Sequence, residues 1–466
     1  MPAQRVMSLC NRNTLRYYLY MNYERRRVSI FSVFSLLLLC TLLFLGGCER
    51  QEKFVAKKEV LTELDVWVHT ESKEALAQIQ DQVDRFNGAH NRIHVTLISV
   101  PRGAYQAQIN AAIITGTLPD IIELDGPYLP HLVERNVLLK LDKILTETTR
   151  EDMLPAVFQQ GMYDRRVYSL ASTTNSHVMY ARKSAIQAAG YRVPDAKEGW
   201  SVEEFEKVLS LLMANSDRTA ILDLGLNDQN ERLTRTLYPI LLSVGGGFFD
   251  EQAPYVSDGV LNSVKNKAVL TRIQHWIKQG FIDENRDDEA FIRGRALFSW
   301  AGLEKYNAYR RQFGDDLVVI PLPDFGHGSK RVQRAWGWGL TTSCEDRQSA
   351  MRFLEFLFQP DEVLLSAKAN ATLPATYSAL ARFEAFNDTP SLMPLVEDQQ
   401  AGEVVSQLKS PLYPVVSNAF QKAFVRIRNG ASVEDSLDTA VKMVDEGRRK
   451  FESELEKLRE GDKVGE

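Results

Sequence analysis

Side chains suited to holding a small polar molecule follow predicted strands in this 466-residue sequence. Trp67 lies in one apolar segment and His69 comes directly after it, whereas Asp125 and Tyr128 follow a later apolar segment. Flat aromatic rings match the apolar C–H face of a sugar, and carboxylates fix hydroxyl groups through directional hydrogen bonds. These four residues are therefore candidate ligand contacts, although Trp67, inside its strand, also suits the core.

Motifs of common catalytic sites are missing from the sequence. It contains no GxxxxGK[ST] phosphate loop, no HExxH zinc site and no GxSxG nucleophile elbow. The glycines at 245–247 lack dinucleotide-binding spacing and indicate a turn after a helix, and His90 and His94 indicate a surface turn. Glu123 and Asp125 suit the binding of solute hydroxyls, but the sequence alone leaves a glycan hydrolase open. No cofactor and no metal site are predicted.

The composition is that of a large soluble protein with two or more domains. The chain has 44% hydrophobic residues, 25% charged residues and a net charge of −5. A protein that binds nucleic acid needs a basic surface, so we expect no nucleic-acid partner. The 4 cysteines are too few for a disulfide framework in a chain of this length, and Cys344 is expected to be a small buried hydrophobic residue.

Strands and helices alternate in the segment that holds the first candidates. Residues 64–68, 93–98 and 121–124 are rich in strand formers, and apolar residues at spacings of three and four predict a helix in each interval. This order with short loops predicts a parallel, doubly wound sheet. Because such sheets bind ligands at the carboxyl ends of their strands, we expect a site at the loops 69–71 and 125–128.

Capping residues predict where two helices begin. Ser201 can cap a helix while Glu204 bonds back to the amide of Ser201, and Trp200 and Phe205 can pack across that turn. Ser432 starts the last long helix in the same way. Neither site needs a functional explanation.

The first 60 residues have the pattern of a targeting signal and a tether. Three arginines at 25–27 precede an apolar segment at 30–45, which is short for a bilayer span, and Leu-Gly-Gly-Cys48 follows. This ending resembles the lipobox of bacterial lipoproteins, in which the cysteine is acylated and becomes the mature N-terminus. We expect a signal peptide over 1–47, lipidation of Cys48 and a flexible tether over 48–60. A plain signal anchor is the alternative.

Seven short blocks in the chain occur in the order of one protein family. They are Gly-Thr-Leu-Pro-Asp-Ile at 116–121, Val-Leu-Leu-Lys-Leu at 137–141, Tyr-Ser-Leu-Ala at 168–171 with Val-Met-Tyr-Ala-Arg-Lys at 178–183, Gly-Tyr-Arg-Val-Pro at 190–194 with Gly-Trp-Ser at 199–201, Phe-Ile-Arg-Gly-Arg-Ala-Leu-Phe at 291–298, Trp-Gly-Trp-Gly-Leu at 336–340 and Arg-Asn-Gly-Ala-Ser at 428–432. Together they resemble the bacterial extracellular solute-binding proteins of the maltose-binding-protein-like group. The chain departs from the family pattern at Ala171, where the family has proline, and at 181–182.

The resemblance implies an α/β, two-lobed periplasmic-binding-protein fold of type II, with discontinuous lobes joined by a hinge. One lobe would take residues 61–173 plus 324–377, and the other would take 174–323 plus 378–460. The solute would lie in the cleft between the lobes, which close on it by a hinge motion.

Further contacts to the solute are predicted from residue types and, for Trp300 and Tyr413, from the resemblance. Of the two tryptophans that flank Gly337, Trp338 is expected to face the cleft and Trp336 to pack. Trp276, in a helical pattern, is expected in the core. The further predicted contacts are Thr173, Asn175, Trp300, Trp338 and Tyr413.

The function implied is that of a receptor rather than an enzyme. It would be a monomer, lipid-anchored on the extracytoplasmic side of the cell envelope, that binds a carbohydrate and delivers it to the transmembrane subunits of an ABC permease. The same fold could instead bind a polyamine, an iron complex or a peptide, and a cationic solute would need carboxylates clustered at the strand ends. An anchored glycan-acting enzyme and an accessory to a membrane sensor kinase are further alternatives.

Overall fold

Strands and helices alternate along the chain in a computed structural model of the protein. The structure describes residues 61–70, 72–195, 198–226, 231–250, 252–284, 287, 289–384, 392, 395–397, 405 and 408–464. The predicted signal peptide, the predicted lipidation site Cys48 and the predicted tether lie outside these residues.

The strands belong to two larger sheets and one hairpin. Their bounds are β1 Thr62–Thr70, β2 Ile93–Pro101, β3 Ile121–Asp125, β4 Met162–Tyr163, β5 Arg166–Val167, β6 Thr173–Arg182, β7 Leu222–Asp223, β8 Phe298–Gly302, β9 Leu317–Ile320, β10 Gln333–Arg334, β11 Trp336–Leu340 and β12 Leu373–Pro374.

The helices cover the sheets and form most of the C-terminal part. Their bounds are α1 Lys73–Ala89, α2 Arg102–Thr115, α3 Leu129–Glu134, α4 Glu147–Asp152, α5 Pro155–Gln160, α6 Lys183–Ala188, α7 Val202–Ala214, α8 Glu231–Ser243, α9 Val264–Lys278, α10 Tyr306–Phe313, α11 Arg347–Leu357, α12 Pro360–Asn370, α13 Tyr377–Leu380, α14 Tyr413–Arg428 and α15 Val433–Val464.

The first sheet has the strand order β11–β3–β1–β2. β1 pairs in parallel with β2 along its whole length and with β3 near its end, which confirms the predicted parallel sheet. β11 comes from much later in the chain and pairs antiparallel with β3, so that Trp338 lies opposite Glu123. The carboxyl ends of β1 and β3 therefore share one edge with the start of β11.

The second sheet is built around β6. This strand pairs antiparallel with β8, β9, β10 and β12, and β7 pairs in parallel with β8. Residues 324–377, which the sequence assigns to the first lobe, contribute β11 to the first sheet but β10 and β12 to the second. The exact lobe boundaries stay a prediction.

Helix ends follow from capping chemistry. Ser201 accepts a hydrogen bond from the backbone N–H of Glu204, whose side chain accepts one from the N–H of Ser201, so the predicted capping box is confirmed. The ring of Trp200 stacks near Phe205 with centroids 6.2 Å apart. α2 ends at Gly116, whose φ of 69° is strained for any residue with a Cβ atom.

Apolar residues from each sheet and its covering helices make separate clusters. Val66, Ile121 and Leu340 are fully buried in a cluster around the first sheet, and Phe298, Trp276 and Phe420 lie in a cluster around the second. Cys344 is buried, as expected. In the part of the chain that the structure describes, no helix combines the length and the apolar character needed to span a bilayer.

Candidate functional site

A cleft opens at the carboxyl ends of β1 and β3, beside β11 and the first residues of β6. It consists of two adjoining cavities with empty volumes of about 700 Å³ and 510 Å³, including the solvent at their mouths. Both are lined by His69, Glu123, Thr173, Trp336 and Asn370. This edge of the sheet is where doubly wound folds bind ligands, so the cleft is the candidate site.

His69, Glu123 and Trp336 form a connected group in the cleft. Nδ1 of His69 lies 2.6 Å from Oε2 of Glu123, and the backbone N–H of His69 donates to the same oxygen at 3.3 Å. The imidazole stacks on the indole of Trp336, with centroids 3.6 Å apart and planes inclined by 16°. The side chains of His69 and Glu123 are 11% and 14% exposed, so the group offers a solute both polar atoms and aromatic area.

Tyr105 supports this group from below. Its hydroxyl donates to the carbonyl oxygen of Trp67 at 2.9 Å and accepts from the backbone N–H of Glu123 at 3.1 Å. Burial, the largest effect, and the charge of Glu123 hold the pKa of Tyr105 well above its usual value, so the phenol stays neutral. This bond network fixes the ends of β1 and β3 relative to each other.

Asn175 and Glu304 also line the smaller cavity. Nδ2 of Asn175 donates to Oε2 of Glu304 at 2.7 Å, and Oδ1 of Asn175 accepts from the backbone N–H of Leu303 at 3.0 Å. Burial opposes the charge on Glu304, but nearby His177, the Asn175 bond and Arg334 outweigh it and hold the pKa of Glu304 below its usual range. Glu304 is therefore ionised at neutral pH.

A third cavity lies next to the cleft, with an empty volume of about 400 Å³ that includes the solvent at its mouth. Arg334 borders both this cavity and the 510 Å³ cavity of the cleft. Its lining residues combine two arginines with aromatic and apolar side chains: Pro127, His177, Thr234, Arg235, Tyr238, Pro239, Phe248, Val332, Arg334, Leu408 and Tyr413. Burial lowers the pKa of His177 to about 3, so this imidazole is neutral at pH 7.

Asp125 holds the two arginines of this cavity. Its Oδ2 accepts from Nη1 of Arg235 and its Oδ1 from Nε of Arg334, both at 3.1 Å. Asp125 is 3% exposed. Burial opposes its charge, but Arg334, Arg235 and Arg102 outweigh that effect and keep the pKa of Asp125 below its usual range. The carboxylate thus joins the end of β3 to α8 and β10.

Glu231 joins two tyrosines from distant parts of the chain. The hydroxyls of Tyr128 and Tyr413 donate to its two carboxylate oxygens at 2.9 Å and 2.8 Å. The two phenol rings meet edge to face, with centroids 5.4 Å apart. Burial, followed by the charge of Glu231, raises the pKa of both phenols, so both act as hydrogen-bond donors.

The predicted contacts fall into two groups in the structure. His69, Thr173, Asn175 and Trp338 line the cleft, and Tyr413 lines the third cavity. The remaining predicted contacts, namely Trp67, Asp125, Tyr128 and Trp300, do not line these cavities and are nearly or fully buried. Trp300 is 2% exposed and its indole N–H donates to the carbonyl oxygen of Thr236 at 2.7 Å. Contact of each predicted residue with a solute stays a prediction.

Several lining residues are absent from the predicted set. Trp336, expected to pack, is half-buried and borders both cavities, whereas Trp338 is 6% exposed and borders the larger one. Residues two apart in a strand point to the same face, and both rings accordingly border the larger cavity, so the expected division between a packed Trp336 and a cleft-facing Trp338 is wrong. The other lining residues that the sequence did not predict come from three distant segments, and no local pattern identifies them as ligand contacts: Glu304, Arg334 and Asn370.

The arrangement is suited to binding a polar solute. Carboxylates, an amide, an imidazole and an indole line one concave surface, which is the usual composition of a small-molecule site. Among the described residues, no group of three or more His, Cys, Asp or Glu side chains could hold a metal ion.

Comparisons with known proteins agree with this description. Residues 81–394 match the family model of the bacterial extracellular solute-binding proteins. An uncharacterized lipoprotein from Streptomyces antibioticus is 21% identical over 317 residues, which cover 66% of this chain and 69% of that protein.

Solved structures show the same fold at low sequence identity. The cyclic α-maltosyl-1,6-maltose binding protein of Arthrobacter globiformis superposes with a TM-score of 0.69 at 22% identity, covering 84% of this chain and all of that one. Maltose-bound MalE3 of T. maritima superposes with a TM-score of 0.71 at 18% identity, covering 82% of this chain and 99% of that one.

Fold and site together define a two-lobed α/β binding protein with the maltose-binding-protein-like architecture. The chain belongs to the family of bacterial extracellular solute-binding proteins.

Proposed function

We propose that this protein is a lipid-anchored extracytoplasmic receptor that binds a carbohydrate in the cleft and delivers it to an ABC permease. The observation that carries the proposal is the cleft itself, in which Trp336 and Trp338 lie beside Glu123, His69 and Asn370. An indole beside directional polar groups suits a sugar ring, which has an apolar face and a rim of hydroxyls. The ligands named for the two solved structures, a cyclic maltosyl-maltose and maltose, support a sugar.

Delivery would follow from closure of the two predicted lobes, 61–173 plus 324–377 and 174–323 plus 378–460, around the solute. A solute favours the closed form only by the contacts that it makes to both sides at once. Glu123 belongs to β3 of the first sheet and Asn175 to β6 of the second, yet both border the smaller cavity. A solute that contacts both Glu123 and Asn175 would therefore stabilise the closed form. The permease would recognise that form.

Lipid attachment at Cys48 would hold the receptor at the outer face of a membrane, and the lipoprotein among the relatives supports this. Mass spectrometry of the membrane-bound protein should find an N-terminus at Cys48 that carries acyl chains. An uncleaved chain that retains the apolar segment at 30–45 and carries no lipid would favour the plain signal anchor.

Calorimetric titration of a panel of saccharides, polyamines and peptides tests the ligand class. We expect a saccharide to bind with a Kd near micromolar, equivalent to about −8 kcal/mol. Trp336→Ala should weaken that binding at least about tenfold, whereas Trp276→Phe, in the core of the other sheet, should leave the affinity unchanged. Binding of a polyamine and of no saccharide would reject the proposal, and so would turnover of an oligosaccharide that Glu123→Gln abolishes.

A further inference from the structure

Two buried arginines share one carboxylate beside the cleft. Arg235 and Arg334 are each 8% exposed, and both bond to Asp125 through a single nitrogen at 3.1 Å. A guanidinium has five N–H donors in a fixed fork, so one contact leaves most of its bonding capacity unused.

Each of these arginines has a buried nitrogen without an acceptor. Nε of Arg235 and Nη2 of Arg334 have no hydrogen-bond partner among the residues that the structure describes. Removing a charged donor from water without an acceptor is costly, and native proteins rarely leave such groups unpaired. Since both side chains line the third cavity, an acceptor group supplied by a ligand would satisfy them.

The carboxylates nearby are already engaged. Both oxygens of Glu231 accept from tyrosine hydroxyls, and Oε2 of Glu304 accepts from Asn175. His177, on the wall of the same cavity, is neutral at pH 7 because burial lowers its pKa to about 3. Among the described residues, Asp125 is therefore the one carboxylate that bonds to Arg235 and Arg334.

Positive charge is crowded at this point. Burial, followed by the charges of Arg235 and Arg334, lowers the pKa of Arg102 to about 8. Burial and Arg334 also lower the pKa of Arg235, in spite of its bond to Asp125. An anion placed between the arginines would relieve this repulsion, which a neutral hydroxyl group cannot do.

We propose that the solute is an anionic carbohydrate whose carboxylate, sulfate or phosphate group lies between Arg235 and Arg334, next to Tyr413. This inference rests on the proposed function and narrows its substrate class. The anionic group enters the third cavity beside Tyr413, whereas the sugar ring lies in the adjoining 510 Å³ cavity of the cleft, which Arg334 also borders. Charge-assisted bonds from a guanidinium are about twice as strong as neutral ones, so the anion contributes both affinity and selectivity.

Titration of the full chain with size-matched saccharides separates the possibilities. The panel contains galactobiose, digalacturonate, a sulfated disaccharide, a disaccharide phosphate, and acetate and inorganic phosphate without a sugar. We expect one anionic disaccharide to bind at least about tenfold more tightly than galactobiose. The anionic disaccharide that binds most tightly shows whether the site prefers a carboxylate, a sulfate or a phosphate group.

Equal or tighter binding of the neutral disaccharide would overturn this inference and leave the proposed carbohydrate receptor intact. Binding of no saccharide at all would overturn both. Acetate or inorganic phosphate binding as tightly as the sugars would also overturn the inference, because the site would then hold a free anion.

Substitution of the arginines tests whether they cause the preference for an anionic over a neutral disaccharide. Arg334→Gln should lower the affinity for the anionic disaccharide at least about tenfold and that for galactobiose less than about threefold. Arg235→Lys, which retains a charge beside Asp125, is the second variant and should reduce the same preference. Arg272→Gln, which removes a surface pair with Glu203, is the control and should change neither affinity. An unchanged preference in both folded arginine variants would contradict the assignment.

Discussion

Two tryptophans near the cleft differ in what surrounds their rings. Trp336 is half-buried and stacks on His69, with Arg334 5.6 Å above its ring. Trp300 is almost fully enclosed and uses its indole N–H in a bond to the backbone of Thr236. A side chain that is enclosed on all sides contributes mainly to stability, whereas one at a cavity wall is available to a solute.

Trp300→Ala should lower the free energy of unfolding by about 3–5 kcal/mol because it leaves a large cavity in the core. Urea unfolding measures this loss. Trp336→Ala is the matched comparison. It should lower the free energy of unfolding less than Trp300→Ala does, but it should weaken saccharide binding more. A Trp300→Ala protein with normal stability and lost sugar binding would instead support the sequence-based prediction that Trp300 contacts the solute.

Asp125→Asn should destabilise the fold by about 3–5 kcal/mol, because it leaves Arg235 and Arg334 without their shared charge. The pKa of Asp125 is lower in the folded protein than in the unfolded chain. Its stabilisation is therefore complete above the unfolded pKa of about 3.9 and is lost as the pH falls through the folded pKa.

Denaturant unfolding at pH 7 and at acid pH tests this prediction. The difference between the wild-type protein and Asp125→Asn should be large at pH 7 and shrink below about pH 4. The control is Asp361→Asn, which breaks an exposed pair with Arg382 and should change stability by no more than about 0.5 kcal/mol. A difference between the two proteins that is independent of pH would show that the charge of Asp125 is not what stabilises the fold.

Helix α7 shows how local sequence sets an element in place. Ser201 and Glu204 satisfy backbone amides at its start, and Val202, Phe205 and Leu209 face the core. The helix therefore begins where its side chains can be buried, next to the strand β8 that ends at the cleft.

Ser201→Ala should cost about 1 kcal/mol in unfolding free energy, because one N-terminal amide loses its acceptor. Ser210→Ala lies on the exposed face of the same helix, where its hydroxyl bonds to the carbonyl oxygen of Glu206, and serves as the control. Its effect should be within about 0.5 kcal/mol of zero. Equal losses in the two variants would indicate that helix propensity, and not the cap, determines the result.

Local patterns predict elements better than they predict partners. The strands β1, β2 and β3 and the cap at Ser201 follow from apolar spacing and short motifs, which act within a few residues. The antiparallel addition of β11 to β3 joins residues more than two hundred positions apart, and no periodicity encodes such pairing. The same limit applies to the site: His69 follows from its strand end, but Glu304 and Arg334 arrive by tertiary folding.

Contacts around Glu231 connect parts of the molecule that are far apart in sequence. Tyr128 follows β3 of the first sheet, and Tyr413 begins α14, yet both donate to this one carboxylate on α8. Asp125 and Arg235 make a second connection nearby. Under the proposed closure, such bonds would hold the predicted lobes together without a solute and would reduce what a solute must supply.

Glu231→Ala should cost about 1–3 kcal/mol of stability, because two buried hydroxyls lose their acceptor. It should also increase the radius of gyration of the solute-free protein, and small-angle scattering measures this change. Glu203→Ala, which removes an exposed partner of Arg272, is the control and should change neither quantity. An unaltered scattering curve for a folded Glu231→Ala protein would show that these bonds do not govern closure.

A crystal structure with the tightest-binding saccharide of the panel tests the central claim most directly. We expect density for a sugar ring against Trp336, with its hydroxyl groups within hydrogen-bond distance of Glu123 and Asn370. An empty cleft, with the saccharide bound elsewhere on the protein, would contradict the assignment of this cleft as the binding site.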